Sequence, residues 1–344
     1  MLNSYAEGDY CRYVPTEGTL DLLENIAHLE NQRLPSGAPT YDSTQVMLVP
    51  GGIQAFSLIT EALLAVGDKI LAPNPSYFSL SALTEHRYQF DVVHGEEFNF
   101  SLDDYKNRFK SDVKLTWLCQ PNNPTGLYID TDELCGIIDL ATENNVYTVL
   151  DESCDNFVFN HSYRMPTNIS SDRVVRIRTF SKYPNLAGCR LGYILASHDT
   201  IRQLRRLAPI IYGNPNVMGL RAIHADVCLR RGTLVDESYS STLEANFTLM
   251  RDSRDYLYRR LKACPLIETI ILPDACYYMF MKLRYPKGSR VFQKTLLQEE
   301  LLDIVPGTLF GIPEAQCWIR VCFARDRRFL DVAVDKIIKV LREC

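Results

Sequence analysis

The sequence predicts an α/β protein, with a mainly parallel sheet sandwiched by helices and a smaller α+β region after it. Three observations carry that reading. Short apolar runs alternate with helical stretches, as Leu115 to Cys119, Thr131 to Asn144 and Tyr147 to Leu150 do in succession. Such alternation implies parallel strands covered on both faces. A polar-apolar helical pattern then runs without a breaker from about Val235 to Leu261. Beyond it, strand-like Cys276 to Leu283 and Trp318 to Phe323 flank a helix that begins near Ser289, and a terminal helix follows. The expected division is an N-terminal arm over 1–12, a large domain over 13–240 and a small domain over 241–344. The long helix joins the two domains, and a cleft between them is where a pocket is expected.

In chain order, residues 1–18 are aperiodic and Leu20 to Leu34 follows with helical spacing. Gln45 to Val49 reads as the first strand, ended by Pro50-Gly51-Gly52 and succeeded by a helix with Phe56, Ile59, Leu63 and Leu64 on its apolar positions. A glycine pair between strand and helix lets backbone N–H groups at the helix start face an anion. Further strands are expected near Lys69 to Leu71, Phe90 to Val93, Leu115 to Cys119, Tyr147 to Leu150 and Val174 to Thr179. Ligands of parallel sheets gather at the C-terminal strand ends. Asn122-Asn123-Pro124, Asp151 and Lys182 all fall there.

Composition narrows the function. The 344 residues are 46% hydrophobic and 23% charged, enough for a large core, and the net charge of -5 gives no reason to expect nucleic acid. Arg202 to Arg206 and Arg325 to Arg328 read as solvated faces. Eleven cysteines, odd in number and without a Cys-x-x-Cys pair, indicate thiols in a reducing compartment rather than a disulfide framework. Six scattered histidines offer no metal-ligand spacing. The N-terminus has neither a basic nor an apolar leader segment, and no apolar run reaches membrane-spanning length. A cytoplasmic setting is the default expectation, with no metal, nucleic acid or membrane partner.

The segment from Thr179 to Arg190 brings an amine and an anion site together. Pro184 and Gly188 mark it as a loop between apolar runs. Lys182 can form a Schiff base with a carbonyl, while Thr179, Ser181 and Arg190 offer donors and a fixed positive charge for a phosphate.

With these residues in view, the chain resembles fold-type I enzymes dependent on pyridoxal 5'-phosphate, of the class I/II aminotransferase group. In length and wording it is most similar to their histidinol-phosphate aminotransferase and threonine-phosphate decarboxylase branch. The resemblance spans roughly residues 12–330 and keeps the family order: Pro50-Gly-Gly52, Asn74-Pro-Ser-Tyr77, Gln120-Pro-Asn-Asn-Pro-Thr-Gly126, Leu150-Asp-Glu152, Thr179 to Arg190, and Ile319-Arg320. It implies a seven-stranded sheet in the large domain. It also implies that Lys182 bonds the cofactor and shuttles the α-proton, while Asp151 pairs with the ring nitrogen. Asn123 would donate to the ring's 3-oxygen and Tyr77 would lie against the ring. Gly52 and Ile53 would give backbone N–H groups to the phosphate, beside Thr179, Ser181 and Arg190. Arg320, with Asn123 beside it, would grip the substrate carboxylate. Tyr13 would reach the phosphate of a partner subunit, which implies a homodimer with shared sites.

Two departures qualify the resemblance. The family's usual tyrosine, three residues after the aspartate, is replaced here by Cys154, and a thiol is a weak donor. Only twelve residues precede Tyr13, fewer than in the branch it resembles. Substrate specificity therefore cannot be carried over. The expected activity is transfer of an amino group between an L-amino acid and a 2-oxo acid. Its rivals are a decarboxylase, a lyase or an oxygen-dependent oxidase on the same cofactor, or an idle binding protein of the same fold. A nucleotide-linked dehydrogenase would need a Gly-x-Gly-x-x-Gly turn, which is absent.

Overall fold

Strand β1 (Val46–Val49) is buried along its whole length, as an apolar run covered from both sides should be. The computed structural model describes residues 12–77, 86–155 and 157–343. Around β1 it contains β2 (Lys69–Asn74), β3 (Gln89–His94), β4 (Val113–Cys119), β5 (Tyr147–Asp151), β6 (Val174–Thr179) and β7 (Gly192–Leu195). The seven form one sheet in the order β1-β7-β6-β5-β4-β2-β3. Strands β3, β2, β4, β5 and β6 are parallel, whereas β7 runs antiparallel to both β6 and β1. Two reversals cancel, so β1 points the same way as β6. The C-terminal ends of β1, β4, β5 and β6 therefore share one edge of the sheet.

Side chains alternate across that sheet with the period of two that strands impose. Met47, Val49, Trp117, Val149, Val175 and Ile177 face a core shared with α2 (Gly52–Leu63) and α5 (His198–Ile211). There Phe56 meets Trp117 edge-on at 4.6 Å, an arrangement that adds about 0.5–1.5 kcal/mol to simple burial. Leu118 and Leu150 point the other way, against Leu134, Ile137 and Ile138 of α4 (Thr131–Glu143). Val46 and Leu48 face Leu22, Leu23 and Ile26 of α1 (Leu20–Asn31) and Ile223 of α6 (Val217–Arg231). The short α3 (Leu102–Tyr105) packs on α4. Along the outer edge of β1, the Leu48 amide donates to the Glu17 carbonyl at 2.8 Å, so the segment after Tyr13 lies against that strand. Gly18, at φ +109, leaves no room there for a side chain, since a β-carbon would stand 2.6 Å from Leu48.

The same inner face carries charge. Arg176 and Arg178 lie two apart on β6, so both project to one side, where they are buried with Glu30, Glu152 and Asp155. Arg176 contacts Glu152 at 2.7 Å and Glu30 at 3.0 Å, while Arg178 reaches Glu30 at 3.2 Å and Asp155 at 2.9 Å. Arg33 also pairs with Asp155, and the Tyr193 hydroxyl donates to Glu30 at 2.7 Å. Burial pushes the Glu30 carboxyl up, but Arg178, Arg33 and Arg176 together hold it well below the usual range. Charges so buried need such mutual satisfaction.

The long α7 (Glu237–Lys262) leads into a second sheet, ordered β10-β11-β9-β8 and antiparallel throughout. Its strands are β8 (Ile267–Ile271), β9 (Tyr278–Leu283), β10 (Val305–Pro306) and β11 (Trp318–Cys322). They share a separate core with α7, α8 (Ser289–Glu300) and α9 (Arg327–Arg342), built on Leu261, Met281, Phe292, Ile319 and Ile337. The expected helix–strand alternation and α+β end are both present. The seventh strand that the resemblance implies is β7, and neither its position nor helices α5 and α6 are marked by the sequence pattern. The expected arm over 1–12 lies, except for Arg12, outside the described residues. Among the described residues, no helix is long and apolar enough to cross a membrane.

Candidate active site

The strand ends meet around a cavity of about 310 Å³. Gly52, Ile53, Tyr77, Asn123, Asp151, Thr179, Ser181, Lys182, Arg190 and Arg320 all line it. Every site residue expected from the sequence is thus brought to one place, except Tyr13. That tyrosine stands 93% exposed and outside the cavity.

At the anion end, Gly51 caps α2 with φ +84, a conformation that suits glycine. A β-carbon there would lie 2.9 Å from an Arg190 terminal nitrogen, the movable end of a flexible side chain, so the backbone conformation is what favours glycine. The N–H groups of Gly52 and Ile53 open the helix, where no carbonyl of the preceding turn can accept them. Arg190, itself left-handed at φ 52, donates to the Ala187 carbonyl at 3.0 Å. The Thr179 hydroxyl is buried with no hydrogen-bond partner. An unpaired buried hydroxyl is costly, and an anion oxygen in this cradle would satisfy it.

On the cavity floor, Asp151 ends β5. One carboxylate oxygen accepts from the Ser153 amide at 3.0 Å, and the other faces the Cys119 thiol at 3.8 Å. Trp117 in turn donates its indole N–H to the Cys119 sulfur at 3.3 Å. Desolvation by the surrounding protein raises the Asp151 pKa above its ordinary value. That cost is relieved when a cation pairs with the carboxylate. The Lys182 amine lies 5.3 Å from the centre of the Tyr277 ring, a face that favours positive charge.

At the opposite wall, the Asn-Pro-Thr-Gly turn docks against the second sheet. Gly126, at φ +74, approaches so closely that a β-carbon would stand 2.4 Å from Pro273. From β11, a terminal nitrogen of Arg320 donates to the Asn123 side-chain oxygen at 2.8 Å. Arginine carries donors only, so this contact fixes the amide with its NH2 turned away from Arg320. The guanidinium is also held over Tyr278 and Phe310, at 4.8 and 5.0 Å. Cys154 lies in this wall, packed with Cys276 and Tyr278.

Several lining residues were not singled out in the sequence: Phe56, Trp117, Cys119, Ser153 and Tyr277. The signal for Trp117 and Cys119 was their place at the end of β4, where alternate residues reach a strand-end site.

Comparison with known proteins agrees with this geometry. The profile of class I and II aminotransferases matches residues 2–337. The chain belongs to that family. This aminotransferase is 24% identical over 342 residues to the aspartate aminotransferase of Pyrococcus horikoshii, covering 96% of the chain and 83% of its relative. It is also 24% identical to aromatic-amino-acid aminotransferase 2 of Thermococcus litoralis, with 96% and 84% covered. The crystal structure of aspartate aminotransferase from Thermotoga maritima superposes with a TM-score of 0.84 at 25% identity, covering 96% and 84%. Aminotransferases of this type use pyridoxal 5'-phosphate. The aminotransferase cavity fits that group: an anion cradle with an unpaired hydroxyl, a lysine amine, and a buried carboxylate for the ring nitrogen.

Proposed function

We propose that this enzyme passes the amino group of an L-amino acid to a 2-oxo acid in the cavity around Lys182. The convergence of Lys182, Asp151 and Arg320 on that cavity carries the reading. Pyridoxal 5'-phosphate, when bound, supplies the electron sink that makes the substrate α-proton removable. The chain's own groups do the rest. Lys182 holds the cofactor through its amine and, once that amine is released, moves the proton between carbons. Asp151 holds the ring nitrogen protonated. Gly52, Ile53, Thr179, Ser181 and Arg190 receive the phosphate, Tyr77 packs on the ring, and the Asn123 NH2 donates to the ring's 3-oxygen. Arg320 takes the substrate carboxylate, steadied by Asn123 and two aromatic faces.

In this reading the large domain over 13–240 and the small domain over 241–344 enclose the substrate. Tyr13 serves the phosphate of a partner in a homodimer, which its exposure supports. Thiol usage supports a cytoplasmic setting. The names of the relatives put L-aspartate and aromatic amino acids first among donors to assay. The histidinol-phosphate and threonine-phosphate branch rests on motif wording alone.

The test is one turnover of the loaded enzyme without oxygen. Pyridoxamine phosphate and the matching 2-oxo acid should form in equal amounts. Carbon dioxide, free ammonia, or turnover that needs oxygen would each replace transamination with another reaction. Borohydride reduction and peptide mapping should place the cofactor on Lys182, and an adduct elsewhere would overturn the site.

A further inference from the structure

We infer that Cys154 and Cys276 form an oxidative modification site, in which a peroxide joins them as a reversible disulfide in the wall of the cofactor cavity. Cys154 lies three residues beyond Asp151 and lines the cavity, while Cys276 sits fully buried behind it. The two thiols pack with Tyr278 in a cluster of their own. The Tyr278 hydroxyl has no hydrogen-bond partner.

Backbone contacts sew the two segments together although 122 positions separate the cysteines in the chain. The Cys276 amide donates to the Phe157 carbonyl at 3.0 Å, the Phe159 amide to Asp274 at 2.7 Å, and Val158 bridges Ala275. These bonds hold Cys276 at φ +77, a left-handed conformation that a β-carbon disfavours. The two side chains already pack together, and bond formation needs the sulfurs to close to about 2 Å. Cys119, the other cavity thiol, is engaged by Trp117 and Asp151.

The reactivity is asymmetric. The neighbouring Cys276 thiol, against the cost of burial, lowers the Cys154 pKa; the Lys182 charge acts the same way, and Asp151 opposes them. Burial pushes the Cys276 thiol up. Cys154, which lines the cavity, is therefore the attacking thiolate, and the enclosed Cys276 the resolving thiol. The Cys154 sulfur attacks the peroxide O–O bond and keeps one oxygen as a sulfenic acid, while the other leaves as hydroxide and becomes water. The Cys276 sulfur then attacks the Cys154 sulfur, gives up its proton and expels the second oxygen as water. Two thiols and one peroxide become one disulfide and two waters.

The bond ties the loop after Asp151 to the segment entering β9, one residue before Tyr277, whose ring faces Lys182. Its effect on turnover rests on the reading of the Lys182 cavity as the active site; the bond itself does not. Reduced holoenzyme is treated with equimolar hydrogen peroxide, free thiols are alkylated, and peptides are mapped without reductant. The expected result is a linked Cys154–Cys276 peptide, turnover falling in proportion to it, and recovery of both with dithiothreitol. Cys276→Gly, which suits the left-handed backbone, should give no link and a Cys154 sulfenic acid trapped by dimedone. Cys322→Ser, at an exposed cysteine, should leave the link unchanged. Alkylated thiols at both positions, a link to another cysteine, or Cys154 over-oxidised beside free Cys276 would overturn the site. A complete link with undiminished turnover would overturn its control of the reaction, and borohydride mapping of Lys182 tests the active-site reading separately.

Discussion

Arg320 of β11 and Asn123 of the turn after β4 share a hydrogen bond of 2.8 Å, which joins the second sheet to the first across the cavity. The residue proposed to hold substrate thereby orients the one proposed to hold cofactor. The first prediction follows from that dependence.

Arg320→Lys keeps the charge but loses the planar fork and its grip on Asn123. Breaking a buried, hydrogen-bonded charge pair costs about 2 kcal/mol or more, roughly a 30-fold loss. That loss should appear in kcat/KM for amino acid substrates, chiefly through KM, with a parallel loss of affinity for carboxylate inhibitors. Unchanged values of both would move the carboxylate site elsewhere.

Asp151→Asn should retain cofactor but lose turnover by about 100-fold or more, the scale seen when one preorganised electrostatic partner is removed. Without cofactor the sign reverses. The raised pKa means that, between the ordinary and the raised value, the folded chain binds a proton that the unfolded chain does not. Stability then falls as pH rises through that window, and the full cost stands above it. Apo Asp151→Asn should therefore melt higher than apo wild type at neutral pH. Equal melting there would show that the carboxylate is not strained.

Glu30→Gln should cost about 3–5 kcal/mol, because Arg176 and Arg178 lose a shared counter-charge inside the protein. The Glu30 pKa is depressed, so its contribution is complete above the unfolded value near pH 4 and drains away as pH falls below it. Denaturant midpoints measured against pH should show wild type and variant converging in acid. A constant gap would mean that shape, not charge, holds the network.

Tyr13 is tested by mixing subunits. Lys182→Ala and Tyr13→Phe chains, unfolded together and refolded, should regain activity that neither has alone, since a mixed dimer contains one site with both native residues. Monomers at assay concentration, or no recovery in proven mixed dimers, would end the shared-site reading.

The site was more legible than the scaffold beneath it. Asn123, Asp151 and Lys182 could be placed because each follows an apolar run, and strand ends share an edge whatever the strand order. The apolar run marks β2 only near Lys69 to Leu71, and Pro73 beyond it cannot donate to a ladder. The strand continues because its pairing with β4 stops at Leu71, which relieves Pro73 of that duty. Arg176 and Arg178 carried a spacing signal, Arg-x-Arg within a strand, but their partners come from distant parts of the chain. The same limit hid Cys276: Cys154 stood out as a departure, yet no local pattern indicates what fills the space beside it. Tyr13 came only from likeness of motif, and a single chain leaves it facing solvent.

The contact between Glu17 and Leu48 has a consequence for how this protein can be engineered. Strand β1 ends the sheet, and on the side away from β7 its backbone is met by the segment that follows Tyr13. Trimming the chain through Gly18 would strip that cover from a run of four apolar residues, Val-Met-Leu-Val, and present unpaired backbone groups to other molecules. Its dominant failure would be aggregation by edge pairing. A shortened protein that precipitates would then reflect an uncapped sheet, and only point substitution at Tyr13 separates that hazard from catalysis.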